Sequence, residues 1–137
     1  QITGVQLEVG TVATPFEHHS YGEELALCQR YYQQIQNQNL VGTGAVYGSG
    51  LDTYIGISLK QTMRANPTVS WTTGTDYWKR YSAGSSGNFS SLDGTQGLVN
   101  GTDLVLVYYV SNVGSAGSAA WLQTNNANAV LSFSAEL

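Results

Sequence analysis

Charge is scarce in this chain. Asp, Glu, Lys and Arg make up only 10% of its 137 residues, against about 25% in an average soluble domain. The cations are Arg30, Lys60, Arg64, Lys79 and Arg80, and the net charge is −4. So few cations exclude a grip on a nucleic-acid backbone, which needs several phosphates neutralised at once. Cysteine occurs once, at Cys28, which excludes an intrachain disulfide framework and any zinc cluster built on thiolates. A lone cysteine of this kind reads as a small buried hydrophobe. Long apolar runs are missing too. The longest candidate, Leu104–Val110, falls well short of the ~18–20 residues that span a bilayer and reads as a buried strand. No basic start followed by an apolar middle marks a secretory signal. The chain begins at Gln1 with no Met, which reads as a fragment or a processed product. There is no P-loop, no dinucleotide fingerprint and no nucleophile elbow, so no cofactor is expected.

In place of charge the chain carries Gly, Ser, Thr, Asn and Gln, with nine Tyr and three Trp. Its length is room for one domain. Gln1–Gly10 alternates apolar and polar residues like a half-buried strand, and Thr14-Pro15-Phe16 breaks it. Ser20 and Glu23 have the capping-box spacing, which predicts a short helix over Tyr21–Arg30 with Leu25, Leu27 and Cys28 as its apolar contacts. From Tyr31 onward the pattern is β. Strands are expected from Tyr31 to about Ile35, then at Val41–Tyr47, Thr53–Leu59, Pro67–Thr73, Tyr77–Tyr81 and Leu104–Val110, around Trp121-Leu122, and at Val130–Phe133. Ser82–Ser91 and Ser111–Gly117 read as exposed loops, and Asp93-Gly94 and Asn100-Gly101 as turns. Strands at this spacing predict an all-β, sandwich or jelly-roll-like domain with one short N-terminal helix. Residues 1–19 are expected to be a strand and linker, either the end of a preceding domain or an inter-domain connector, and residues 20–137 the C-terminal β-sandwich domain.

Two stretches are distinctive: Gly4-Val5-Gln6-Leu7-Glu8-Val9-Gly10-Thr11-Val12-Ala13-Thr14-Pro15-Phe16-Glu17-His18, and Tyr21-Gly22-Glu23-Glu24-Leu25-Ala26-Leu27-Cys28-Gln29-Arg30-Tyr31-Tyr32. They resemble a segment of tailed-bacteriophage tail-fibre and tail-tip proteins. Met63-Arg64-Ala65-Asn66-Pro67-Thr68-Val69 and the terminal Ala-Glu-Leu are also similar to elements of that family. Where the family usually has Arg after the position of His18, this chain has His19. The resemblance implies a virion component at the tip of a tail fibre, a homotrimer joined to other tail-fibre segments and concerned with host attachment. It places no sugar-binding residues.

The residues themselves point to carbohydrate. Sugars offer apolar faces that stack on rings, and hydroxyls that suit neutral polar partners. Trp71, Tyr77, Trp78 and Tyr81 surround a turn, with Lys79 and Arg80 beside them. The candidate glycan contacts are Tyr77, Trp78, Arg80, Tyr81, Asn88 and Trp121. In a strand, Trp78 and Arg80 would face one way and Tyr77, Lys79 and Tyr81 the other, so half of this cluster can be ordinary core. No spacing among the nine carboxylates favours the facing acid pair of a glycosidase, although Asp76 beside Tyr77-Trp78 is the best-placed acid. Neither a catalytic residue nor a metal ligand is assigned. His18 and His19 point to opposite faces of an extended chain and could share an ion only around a symmetry axis. Low charge also suits a permanent oligomer with large interfaces. The expected function is non-catalytic binding of a host-surface glycan at the tail-fibre tip. The alternatives are a structural trimerisation or capping module and, last, a capsule depolymerase.

Overall fold

The structure is a computed structural model, and it describes residues 9–12, 15, 18–47, 52–95, 102–110 and 115–136. Among the described residues one helix, α1 (Tyr21–Gln29), precedes ten strands. These are β1 (Tyr32–Ile35), β2 (Leu40–Tyr47), β3 (Asp52–Ser58), β4 (Thr68–Trp71), β5 (Trp78–Ser82), β6 (Ser85–Phe89), β7 (Gly94–Thr95), β8 (Leu104–Val110), β9 (Ala119–Thr124) and β10 (Leu131–Ser134). They form two antiparallel sheets, a three-stranded one of order β1-β10-β4 and a seven-stranded one of order β6-β5-β9-β2-β3-β8-β7. The domain is therefore all-β and sandwich-like with a single short helix, as the strand spacing predicted.

The wider sheet bends back on itself. Its two outermost strands, β6 and β7, are consecutive in the chain and joined by residues 90–93 alone. Thr53 and Ile55 of β3, Arg80 of β5, Phe89 of β6, Val107 of β8 and Leu122 of β9 consequently line one small cavity with Leu92. Inside this curl lie Val46, Ile57, Trp78, Val107 and Leu122, and the narrower sheet closes over them with Leu131 and Phe133. The curl brings β2 and β3 unusually close. A Cβ on Gly44 would sit 1.7 Å from the Tyr54 carbonyl oxygen, and one on Gly42 2.3 Å from that of Gly56. Those two glycines are requirements of the bend.

The capping box is present. The Glu23 amide donates to Ser20 Oγ at 3.3 Å, and the Ser20 amide donates to Glu23 Oε2 at 2.7 Å. The apolar contacts expected of the helix are not. None of its residues is buried, Leu25 and Leu27 are exposed, and Cys28 is exposed instead of buried. Polar links hold α1 to the sheets. The buried Gln33 side chain donates to the Gln29 and Gln61 carbonyls and accepts from the Lys60 amide.

Other expectations shift. Most of the N-terminal strand lies outside the described residues. Its described end, Val9 and Gly10, lies in a bend with Val9 fully exposed. Ser82–Ser91 is not a loop. A tight turn at Ala83 (φ 49°) and Gly84 (φ 76°) joins β5 to β6 as a hairpin. Two successive residues at positive φ are what a two-residue hairpin turn demands. Gly94 begins the short β7 instead of ending a turn, whereas Asn100-Gly101 and residues 111–114 fall outside the described residues.

Candidate functional site: a ring pair on the outer face of the wide sheet

Strand β5 sorts its side chains by parity. Trp78, Arg80 and Ser82 point into the curl and are buried, while Lys79 and Tyr81 are partly exposed on the outer face. Two expected glycan contacts are corrected by this placement. Trp78 is fully buried, with its Nε1 donating to the Thr72 carbonyl at 3.1 Å. Arg80 is 2% exposed. Its stem runs through the core and its Nη1 donates to Thr53 Oγ1 at 3.3 Å. It also walls the internal cavity, whose volume of about 10 Å³ is room for roughly one water. Neither side chain can reach a ligand at the surface. Tyr77 lies just before β5, half-buried and packed against the core, with its ring over Gly74. It too belongs to the scaffold. Trp71 of the same cluster is half-buried and donates from Nε1 to Ser91 Oγ at 3.1 Å.

The outer face keeps the rest. Tyr81 pairs in register with Trp121 of β9, and the two rings stack at 5.0 Å between centroids and 15° between planes. Directly opposed positions on adjacent strands bring side chains this close. Trp121 remains 44% exposed. The Lys79 ammonium sits 5.0 Å from the Tyr81 ring centroid, a cation–π distance. Asn88 is exposed on β6, opposite Lys79 in register. At the turn end of the hairpin a hollow of about 270 Å³ is lined by Tyr81, Trp121, Ser82, Gly84, Ser85 and Ser86. Ser82 Oγ is committed to the Ala119 carbonyl at 3.0 Å, whereas Ser85 and Ser86 are exposed. Ring faces, serine hydroxyls, an amide and an ammonium thus converge on one shallow surface. That set can hold a polyol by stacking and neutral hydrogen bonds, and can favour an anionic substituent through Lys79.

Of the six expected contacts, the structure brings together Tyr81 and Trp121, with Asn88 along the neighbouring strand. Lys79, Ser85 and Ser86 complete the surface. The signal for Lys79 lay in its two-residue spacing from Tyr81. Ser85 and Ser86 became visible only once the hairpin was known.

Among the described carboxylates, Asp52, Asp103 and Glu23 accept hydrogen bonds within the chain. Asp76 occupies the turn before β5 at φ 56°. Asp103 accepts from the Thr62 and Thr102 hydroxyls, and Asp52 from the Tyr54 hydroxyl at 3.4 Å. Glu23 is held below its ordinary carboxylate value of 4.5, first by the Ser20 backbone N–H and then by the Ser20 hydroxyl. Among the described residues no group of three or more His, Cys, Asp or Glu could hold a metal ion. His18 and His19 lie exposed ahead of α1. No described helix is long and apolar enough to cross a membrane. Compared with protein-family models, curated proteins and solved structures, the chain matches none.

Proposed function

We propose that this domain is a non-catalytic receptor-binding module of a phage tail fibre, which attaches to a host-surface glycan through the Tyr81–Trp121 face. The observation that carries the glycan reading is the stacked ring pair beside a serine-lined hollow on an open sheet face. Stacking and neutral hydrogen bonds are the tools this charge-poor surface has. The phage setting and the virion location rest on the sequence resemblance alone, carried by Gly4–His18, Tyr21–Tyr32, Met63–Val69 and the terminal Ala-Glu-Leu. Assembly as a homotrimer with other fibre segments is part of the same proposal. It is supported by the apolar side chains that α1 and its flank leave uncovered, among them Tyr21, Leu25, Leu27 and Tyr31. Three copies would turn weak single sites into firm attachment by multivalency.

The test is alanine at Trp121 or Tyr81, scored on an array of bacterial surface glycans and by adsorption to host cells. The expected result is a loss of binding of at least about tenfold, equivalent to about 1.4 kcal/mol, with the thermal transition retained. Unchanged binding by both variants would reject this face.

A second reading, a structural module with no receptor site of its own, is favoured by the same uncovered helix. Native mass measurement showing a stable trimer, together with no glycan or cell binding by the wild-type protein, would establish it.

A further inference from the structure

We infer that the ligand of this face is the interior of a linear polysaccharide chain, engaged at two ring sites across the sheet. This extension rests on the glycan reading of the Tyr81–Trp121 hollow. A second aromatic pair lies on the same outer face. Tyr47 of β2 and Tyr54 of β3 meet edge to face, with centroids 6.0 Å apart at 78°, and Tyr47 is 71% exposed. Inward-facing Thr53 and Ile55 flank Tyr54 in β3, and Val46 precedes Tyr47 in β2, so both tyrosines belong to the outward set.

The registers place the two pairs on a diagonal across the sheet, with Tyr54 one outward row along the strands from the Tyr81–Trp121 row. Trp121 opposes Thr43, Ala119 opposes Ala45, and Ala45 opposes Tyr54. Starting from the hairpin hollow, the path therefore crosses Ala119 and Ala45 and arrives at Tyr54 and Tyr47. Ala119, Ala45 and Thr43 are all exposed, and they are small. They make a low floor between two ring sites. Tyr81 and Tyr54 are three strand spacings apart across the sheet and two residues apart along it, about 16 Å in all. That span exceeds one sugar ring and fits several in a row. No charged side chain stands on the floor residues, so nothing there opposes a neutral chain, and Lys79 at one end suits an acidic substituent. Among the described residues both ring pairs keep an open side, with Tyr47 and Trp121 each exposed, so a chain can run past them.

A second protein copy fits this face less well. Trp121 and Tyr47 each offer roughly 100–150 Å² of exposed ring, separated by the alanine floor. A stable protein interface takes about 800 Å² per partner, with a continuous apolar centre.

The experiment uses a panel of purified bacterial capsular and O-antigen polysaccharides, each also cut by partial hydrolysis into size-graded fragments. Affinities are measured in solution for wild type, Trp121→Ala and Tyr47→Ala, with native mass recorded for each. Affinity should rise with fragment length and then level off, by at least about fivefold over the shortest fragment. Tyr47→Ala should remove that gain and leave the shortest fragment's affinity unchanged, whereas Trp121→Ala should weaken all lengths. Which preparation binds tells a capsular source from an O-antigen one. Equal affinity for the shortest and longest fragments, or a Tyr47→Ala variant that binds long fragments like wild type, would overturn the proposal while leaving the glycan reading in place. An altered oligomeric state in Tyr47→Ala would assign that end of the face to a second copy and overturn it as well. Retention of no polysaccharide by the wild type, or indifference to Trp121→Ala at every length, would remove the glycan reading and the extension together.

Discussion

Helix α1 and strand β5 are built on opposite plans. The helix satisfies its own first turn with the Ser20–Glu23 box, buries none of its side chains and is tied to the sheets by the Gln33 amide. The strand has no local signal beyond alternation, yet Trp78, Arg80 and Ser82 are each at most 2% exposed. Stability in this domain therefore belongs to the inner face of the wide sheet. The outer face and the helix contribute little to that core.

The sharpest way to break that contrast is Trp78→Ala. Truncating a fully buried tryptophan costs about 3–5 kcal/mol, and here the Thr72 carbonyl also loses its indole donor. The unfolding free energy from urea titration should fall by that amount at unchanged slope, lowering the midpoint in proportion. By comparison, Trp121→Ala on the opposite face forfeits the stacking pair, about 0.5–1.5 kcal/mol beyond its area. Equal midpoints for the two variants would contradict the assignment of inner and outer faces.

Gly44→Ala comes next. The added Cβ would collide with the Tyr54 carbonyl oxygen, which is backbone and cannot swing aside. Overpacking of this sort costs about 1–3 kcal/mol. It should lower the thermal midpoint and, if the curl opens, change the near-ultraviolet circular dichroism of Tyr54 and Tyr47. Gly87→Ala, with open space around its Cβ, is the matched control and should leave both signals close to wild type.

These two regions also show where sequence reasoning succeeds. The capping box spans three residues, so its chemistry is complete within the local chain, and the helix was legible to within one residue of its end. The strands of the wide sheet were legible as elements because alternation is also local. The inward side of β5 was not. Trp78 with Arg80, and Tyr81 with Lys79, are each a ring with a cation, so hydropathy does not choose between them. The choice is made by Thr53, which offers Arg80 a hydroxyl, and by the β6–β7 connection that closes the curl, both distant in sequence. The hairpin at Ala83-Gly84 was hidden for a related reason: Ala is a weak marker of a positive φ, unlike Asn or Asp. Cys28 and Leu27 misled because apolar residues in a short helix imply a partner within the domain. Among the described residues nothing buries them.

Removing the cap gives the next effect down. Ser20→Ala should cost about 1 kcal/mol, and it should be felt locally. Amide exchange at Glu23 and Glu24 should quicken while the global urea midpoint stays within error of wild type, since α1 contributes no buried side chain to the cooperative core. A drop in the global midpoint equal to the local loss would mean that helix and sheets unfold as one unit.

Acid should separate the two regions most gently. The Glu23 carboxylate titrates below its ordinary value of 4.5 because the Ser20 N–H and hydroxyl favour its ionised form. A group depressed on folding contributes fully above its unfolded value and loses that contribution as pH falls through the folded one. The helix start should therefore loosen below about pH 4.5, whereas β5, which carries no carboxylate, keeps its pairing there. Glu23→Gln keeps an oxygen for the Ser20 amide but cannot ionise. In that variant the Ser20 amide resonance should lose its pH dependence over this window. A Ser20 signal that still titrates as in wild type would show that another acid governs the helix start. Glu24, its neighbour in the first turn, would then be the group to change.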